Sequence, residues 1–198
     1  MSRVKTKKTN TRADNKVVLI VCEGRETEKN YFNNYNRKDR RDRPVKIIKG
    51  VSGQNFTELV NRCKNEMIKI DAKKVDAYIV VDVDGRPENN LQRLKKDADS
   101  IGSKVIISNP CFEFWYLIHF EDTAANMATY KNLEPKLLKY IKDYDKSKNY
   151  FDILEPLTDE AIKRAERLEN KNIDDNKKSI TGRNPSTEVY KLVKALRS

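Results

Sequence analysis

Residues 17–28 read VVLIVCEGRETE and residues 75–85 read VDAYIVVDVDG, two apolar runs that each stop abruptly at acids. A run of this length without polar alternation is a strand covered on both faces, as in parallel sheets flanked by helices. Such sheets bind ligands beyond the carboxyl ends of their strands. The two runs deliver Glu23, Asp82 and Asp84 to one rim if the first and third strands lie side by side, a common arrangement in doubly wound sheets. Alternation along the strand puts Asp82 and Asp84 on one side and Val83 on the other. Carboxylates sharing a side repel unless positive charge separates them. Mg2+ or Mn2+ supplies that charge through oxygen ligands and keeps positions open for water and phosphate, so the three acids form a candidate metal site.

Working outward, a helix is expected from about Thr27 to Asn36, then the basic stretch RKDRRDR (37–43) and a second strand in PVKIIKGV (44–51). Phe56, Leu59, Val60, Cys63 and Met67 form an amphipathic stripe, with Asn55 placed to cap the helix. A helix near 88–100 follows the third strand, and KVIIS (104–108) supplies a fourth. Asn109-Pro110 then predicts that CFEFWYLIHF (111–120) starts a helix directly off that strand. Beyond Phe120, stripes at Leu133, Leu137, Leu138 and Ile141, at Leu157, Ala161, Ile162, Ala165 and Leu168, and at Val189, Leu192, Val193 and Leu196 predict an all-helical C-terminal third. ENKNIDDNKKSITGRNPST (169–187) reads as a loop, with Asn184-Pro185 starting the last helix.

The expected fold is therefore α/β, a mostly parallel sheet of about four strands with helices on both faces, plus a C-terminal helical extension. Residues 1–15 read as a disordered basic tail, 16–122 as the α/β core and 123–198 as the extension packed on it within a single domain.

Lys and Arg number 41 against 30 Asp and Glu, a net charge of +11, which favours a polyanionic partner: nucleic acid first, an anionic surface second. No apolar segment approaches the roughly 18–20 residues that span a bilayer, and MSRVKTKKTNTRADNK lacks an apolar signal core, so a soluble cytoplasmic protein without membrane contact is expected. Cys22, Cys63 and Cys111 are too scattered for a zinc site or a disulfide framework, and His119 is the single histidine. Catalysis would thus fall to carboxylates. Arg25 and Arg86 are placed to hold flanking phosphates, and Glu113 and His119 are further candidates for substrate contact. Each has a structural alternative. D-x-D-G and E-G suit solvated turns, Glu113 suits the dipole of a helix start, and His119 with Trp115 one turn before it suits a core.

Glu23-Gly24 after the first strand and Asp82-Val83-Asp84 after the third resemble the Toprim signature. More narrowly, VCEGRETEKNYF, VVDVDG, SNPCFEFWYLIHF and NPSTEVYKLV resemble the RloB family of RloB- and AbiLii-like abortive-infection proteins, across about residues 17–197. The resemblance implies a Toprim-type magnesium-dependent nuclease from a defence locus, acting on DNA or RNA, tRNA included, beside an ABC-type ATPase partner. By motif, Glu23, Asp82 and Asp84 take the catalytic and metal-binding positions. Similar Toprim enzymes, the overcoming-lysogenisation-defect nucleases, carry a further acid four residues after the first; here Glu26 and Glu28 stand three and five residues on, so Glu28 is a candidate metal ligand. The competing expectation is a non-catalytic module that binds nucleic acid or an ATPase, with the acids as a regulatory cation site. A haloacid-dehalogenase phosphatase fits D-x-D-G superficially, but that family puts its motif on the first strand and wants Thr or Val where Arg86 stands.

Overall fold

The computed structural model describes residues 16–36, 44–50, 55–72 and 74–198. The expected basic tail and the RKDRRDR stretch lie outside the described residues. Strands β1 (Lys16–Cys22), β2 (Val45–Ile48), β3 (Lys74–Asp82) and β4 (Ser103–Asn109) are parallel, and the two-residue β5 (Ser186–Thr187) runs antiparallel to β4. The order is β2-β1-β3-β4-β5, one strand more than expected. Chain connection reverses direction between β1 and β3, which are neighbours with Ile20 opposite Tyr78 and Cys22 opposite Val80. Their carboxyl ends therefore meet at a topological switch point, the usual ligand crevice of open α/β sheets.

Side chains alternate along each strand, so the sheet builds two cores. Leu19, Val21, Ile79, Val81 and Ile107 face α2 (Phe56–Lys69) and α3 (Glu88–Ser100). Val18, Ile20, Cys22, Val80 and Ile106 face α1 (Thr27–Phe32), α4 (Glu113–Phe120), α5 (Tyr130–Leu137), α6 (Phe151–Leu154), α7 (Thr158–Asp174) and α8 (Val189–Arg197). The C-terminal helices thus share a core with α1 and α4. At that core's centre, the fully buried Tyr31 ring meets Phe32, Phe112, Trp115, Tyr116 and Phe151 within 6.4 Å, mostly edge to face, the arrangement that ring quadrupoles favour. Cys22, Cys63 and Cys111 are free and buried. Among the described residues, no helix is long and apolar enough to cross a membrane.

Local chemistry explains the agreements and the departures. Asn55 caps α2 through a capping box with Glu58. Asn109-Pro110 does not open α4, which starts three residues later. Asn109 closes β4, and its side chain is held by the carbonyls of Ile180 and Thr181 and by the Asn184 amide, so it is not available as a cap. Asn184-Pro185 likewise leads into β5 rather than a helix, because Asn184 clamps the backbone N–H and C=O of Met127. The expected 169–187 loop is helical through Asp174, since α7 continues burying its face as far as Asn172. The remainder is tied down by the Glu88 carboxylate, which accepts from the N–H groups of Ile180 and Thr181 at 3.0 and 2.8 Å.

Candidate active cleft

At the end of β1 the Glu23 N–H donates to the Val80 carbonyl at 2.9 Å, prolonging the β1–β3 ladder by one residue before the chain turns through Gly24 into α1. Gly24 and Gly50 let two backbones touch there. The Gly50 N–H donates to the Gly24 carbonyl at 2.9 Å, and a Cβ at Gly50 would lie 1.6 Å from the Glu23 carbonyl oxygen, a position that only glycine can occupy. The contact holds the Glu23–Gly24 turn against the sheet.

Glu23 lies beside the end of β3. Its carboxylate accepts from the Asp82 N–H at 3.3 Å and forms a two-pronged ion pair with Arg86, whose Nη1 also donates to the Asp82 carbonyl at 3.1 Å. The Arg86 guanidinium stacks on Phe56, 4.6 Å from the ring centre. Burial raises the Glu23 carboxyl above its ordinary range, although Arg86 opposes the shift. Arg86, expected at the rim as a phosphate contact, is thus joined to an acid of the site.

Asp82 and Asp84 part company. β3 ends at Asp82, and Asp84 and Gly85 both have positive φ, 38° and 70°, in a tight turn closed by the Arg86 N–H donating to the Val83 carbonyl at 2.8 Å. The alternation that would have set both aspartates on one side ends before Asp84, which is exposed in the turn. Asp82 instead enters a cleft of about 250 Å³ lined by Gly24, Arg25, Thr27, Glu28, Glu113 and Lys146, among others. One Asp82 carboxylate oxygen, Oδ1, is buried with no hydrogen-bond partner among the described residues.

Glu28, placed by the first turn of α1, is 4% exposed and accepts from the Gly24 N–H at 3.1 Å. Glu113, placed by the first turn of α4, is 3% exposed; it pairs with Lys146 Nζ at 3.1 Å and accepts from the hydroxyls of Tyr144 and Thr27 at 3.3 and 3.5 Å. Burial pushes the Glu28 carboxyl up to about 7, with the charges of Glu113 and Glu23 adding to the effect. Burial, then Glu28, Glu113 and Glu23, hold the Asp82 carboxyl well above the carboxylate range, against the opposing pull of Lys146. Burial is the main cause throughout, and convergence of acids on an oxygen without a donor is the second. Among the described residues, no three His, Cys, Asp or Glu side chains are arranged to hold a metal ion by themselves.

Arg25 is exposed at the mouth of the cleft. His119 is elsewhere: it is 1% exposed within α4, its Nδ1 bonded to the Trp115 carbonyl at 2.7 Å and its ring 4.6 Å from that of Trp115. Burial holds it neutral, with its pKa down at about 4, and the ring is a core element and does not line the cleft. Lys146, Thr27, Tyr144 and Gly50 were not anticipated. A lysine within a polar stretch carries no periodic signal, whereas Gly50, two residues past the end of β2, marks the kind of position where backbones approach.

Comparison with curated proteins gives no match, and comparison with solved structures gives none either. A family model described as RloB-like protein matches residues 18–196, from the third residue of β1 nearly to the end of α8, and the chain belongs to that family.

Proposed function

We propose that the protein is a metal-dependent phosphodiesterase of the Toprim type that cleaves DNA or RNA, tRNA among the candidates, as the toxic effector of an antiphage, abortive-infection system working with an ABC-type ATPase. The observation that carries this reading is the buried, unpartnered Asp82 Oδ1, opposite Glu28 at the switch point of a parallel sheet in a strongly basic chain. An acid oxygen in that setting calls for a cation. The donor set is all oxygen, and magnesium is commonly held by one or two carboxylates with water and substrate phosphate completing its shell, which suits a cleft lacking a three-residue protein cage.

Asp82 and Glu28 would hold the Mg2+ or Mn2+. The ion, when bound, would neutralise a phosphoryl oxygen and acidify the attacking water. Glu23, fixed by Arg86 and the Asp82 N–H, is the group oriented to accept a proton or to engage a second ion. Lys146 and Arg25 offer positive charge to phosphate at the cleft mouth, and Asp84, in the adjoining turn, adds its charge to that around Glu23. Backbone contacts of this kind do not read sequence.

One feature favours the alternative of a non-catalytic module with a regulatory cation site: Glu23 and Glu113 already have cationic partners. Labelled DNA, total RNA and tRNA, incubated with and without Mg2+ or Mn2+, separate the two readings when wild type is compared with Asp82→Asn, alone and with the ATPase co-expressed. Metal-dependent cleavage lost in the variant supports the nuclease. Cation binding without cleavage, even with the ATPase present, supports the module.

A further inference from the structure

Away from the cleft, the far edge of the sheet is incomplete. β5 pairs with β4 only at Ser108 and Asn109, and Glu188 then occupies Ile107, its N–H donating to the Ile107 carbonyl at 2.8 Å and its Oε2 accepting the Ile107 N–H at 3.0 Å. In a parallel strand, residues direct both backbone groups alternately to one neighbour and the other. The Ser108 carbonyl serves β3 by accepting from the Val83 N–H, so Ile107 and Val105 face outward. Among the described residues, no strand therefore lies beside the outward groups of Val105. They open into a groove of about 610 Å³ lined by Lys95, Lys96 and Asp99 of α3, by Lys191 and Ala195 of α8, and by Lys104, Val105 and Ile106 of β4. Because α3 and α8 cover opposite faces of the sheet, their walls stand on either side of the open edge.

We infer that this groove receives an extended, acidic segment of a partner protein, which adds to β4 as a further strand where β5 leaves off. Main-chain hydrogen bonds at Val105 would supply the anchor, and alternate side chains would reach the two walls. The charge on the walls sets the partner's chemistry. Lys95 and Lys191 are engaged by Glu188 at 3.5 and 3.6 Å, whereas Lys96 and Lys104 are exposed and have no ion-pair partner among the described residues. Lys104 shares a strand face with Ile106 on the α8 side of β4, and Lys96 belongs to α3, so one unengaged cation stands on each side of the sheet. A second copy of this chain would set lysine against lysine across the new pair, which like-charge repulsion disfavours. A phosphate backbone would leave the Val105 amide and the apolar lining of Val105, Ile106 and Ala195 unused.

The test uses the full chain and an acetylated heptapeptide of alternating Glu and Val, with the Lys–Val peptide and a 20-nucleotide single-stranded DNA as the other arms. Binding is followed by fluorescence anisotropy and by hydrogen exchange at the Val105 amide. The expected result is binding of the acidic peptide alone among the peptides, with at least tenfold slower exchange at Val105. A Lys96→Glu, Lys104→Glu double variant, which lies on the surface and should fold normally, should lower affinity at least tenfold. Val105→Pro, which removes the outward N–H together with a valine side chain packed on the α3-side core, should abolish the effect where it folds. Equal binding of both peptides, no binding, or displacement by DNA without protection of Val105 would overturn the inference.

Discussion

The chain's single histidine allows one buried titration to be followed without overlap. His119 is 1% exposed, donates Nδ1–H to the Trp115 carbonyl and leaves Nε2 buried without a partner, so protonation in the fold is opposed by burial and by the nearby Arg164. Its pKa falls from 6.5 to about 4. The depressed value means that the unfolded chain takes up the proton first on acidification. The neutral ring's stability contribution is complete above pH 6.5 and is lost progressively as pH falls towards about 4. Between pH 7 and pH 5 the linkage amounts to about 2 kcal/mol, worth about 4–8 °C in melting temperature for a chain of this size. His119→Asn keeps a donor for Trp115 but cannot titrate. The variant will carry a constant packing penalty, so the informative quantity is the wild-type-minus-variant stability at pH 7 less that at pH 5. The assay is denaturant unfolding at both pH values, together with the imidazole resonance of the wild type, which should stay in its neutral position down to about pH 5. An imidazole that titrates near 6.5, or a difference that does not change with pH, would refute the burial argument.

Other perturbations probe the cleft. In chelator, Glu28→Gln should raise stability at pH 8 by about 3 kcal/mol and change it little below pH 4.5, because a carboxyl lifted to about 7 loses its stabilising proton as pH rises through that range. Paired melts at the two pH values decide this, and the same variant should weaken Mg2+ binding by 10- to 100-fold in calorimetry. Gly50→Ala should cost about 3 kcal/mol or more, since its methyl would meet the Glu23 carbonyl, and a melting temperature within a few degrees of wild type would contradict the close backbone approach. Lys146→Met should cost about 2 kcal/mol, discounted for the exposure of the lysine, because Glu113 would remain buried without its cation; calorimetric melts give the value.

Much of this arrangement was legible from periodicity. Apolar runs located β1, β3 and β4, and their abrupt ends located Glu23 and Asp82. The adjacency of β1 and β3 followed from how doubly wound sheets are built, and Thr27, Glu88 and Phe56 were each placed near a helix start. What escaped was local competition for hydrogen bonds. An Asp-Gly turn overrode strand alternation at Asp84, and Asn109 and Asn184 bonded to distant backbone instead of capping helices. β5 is two residues long, too short to leave a pattern, and Lys146 reaches Glu113 from a stretch with no apolar stripe at all.

The segment bearing Lys146 has a consequence for how the protein can be divided. Besides the Lys146–Glu113 pair, the Ser147 carbonyl accepts from Asn30 at 2.8 Å, and Asn149 and Asn34 exchange amide hydrogen bonds at 3.2 Å. The helical extension is thereby stitched to α1, the element that carries Glu28. A fragment ending near residue 122 would keep Glu23, Glu28, Asp82 and Glu113 yet forfeit Lys146, the cation paired with Glu113 in the cleft, so the two portions should be expressed and engineered as one unit.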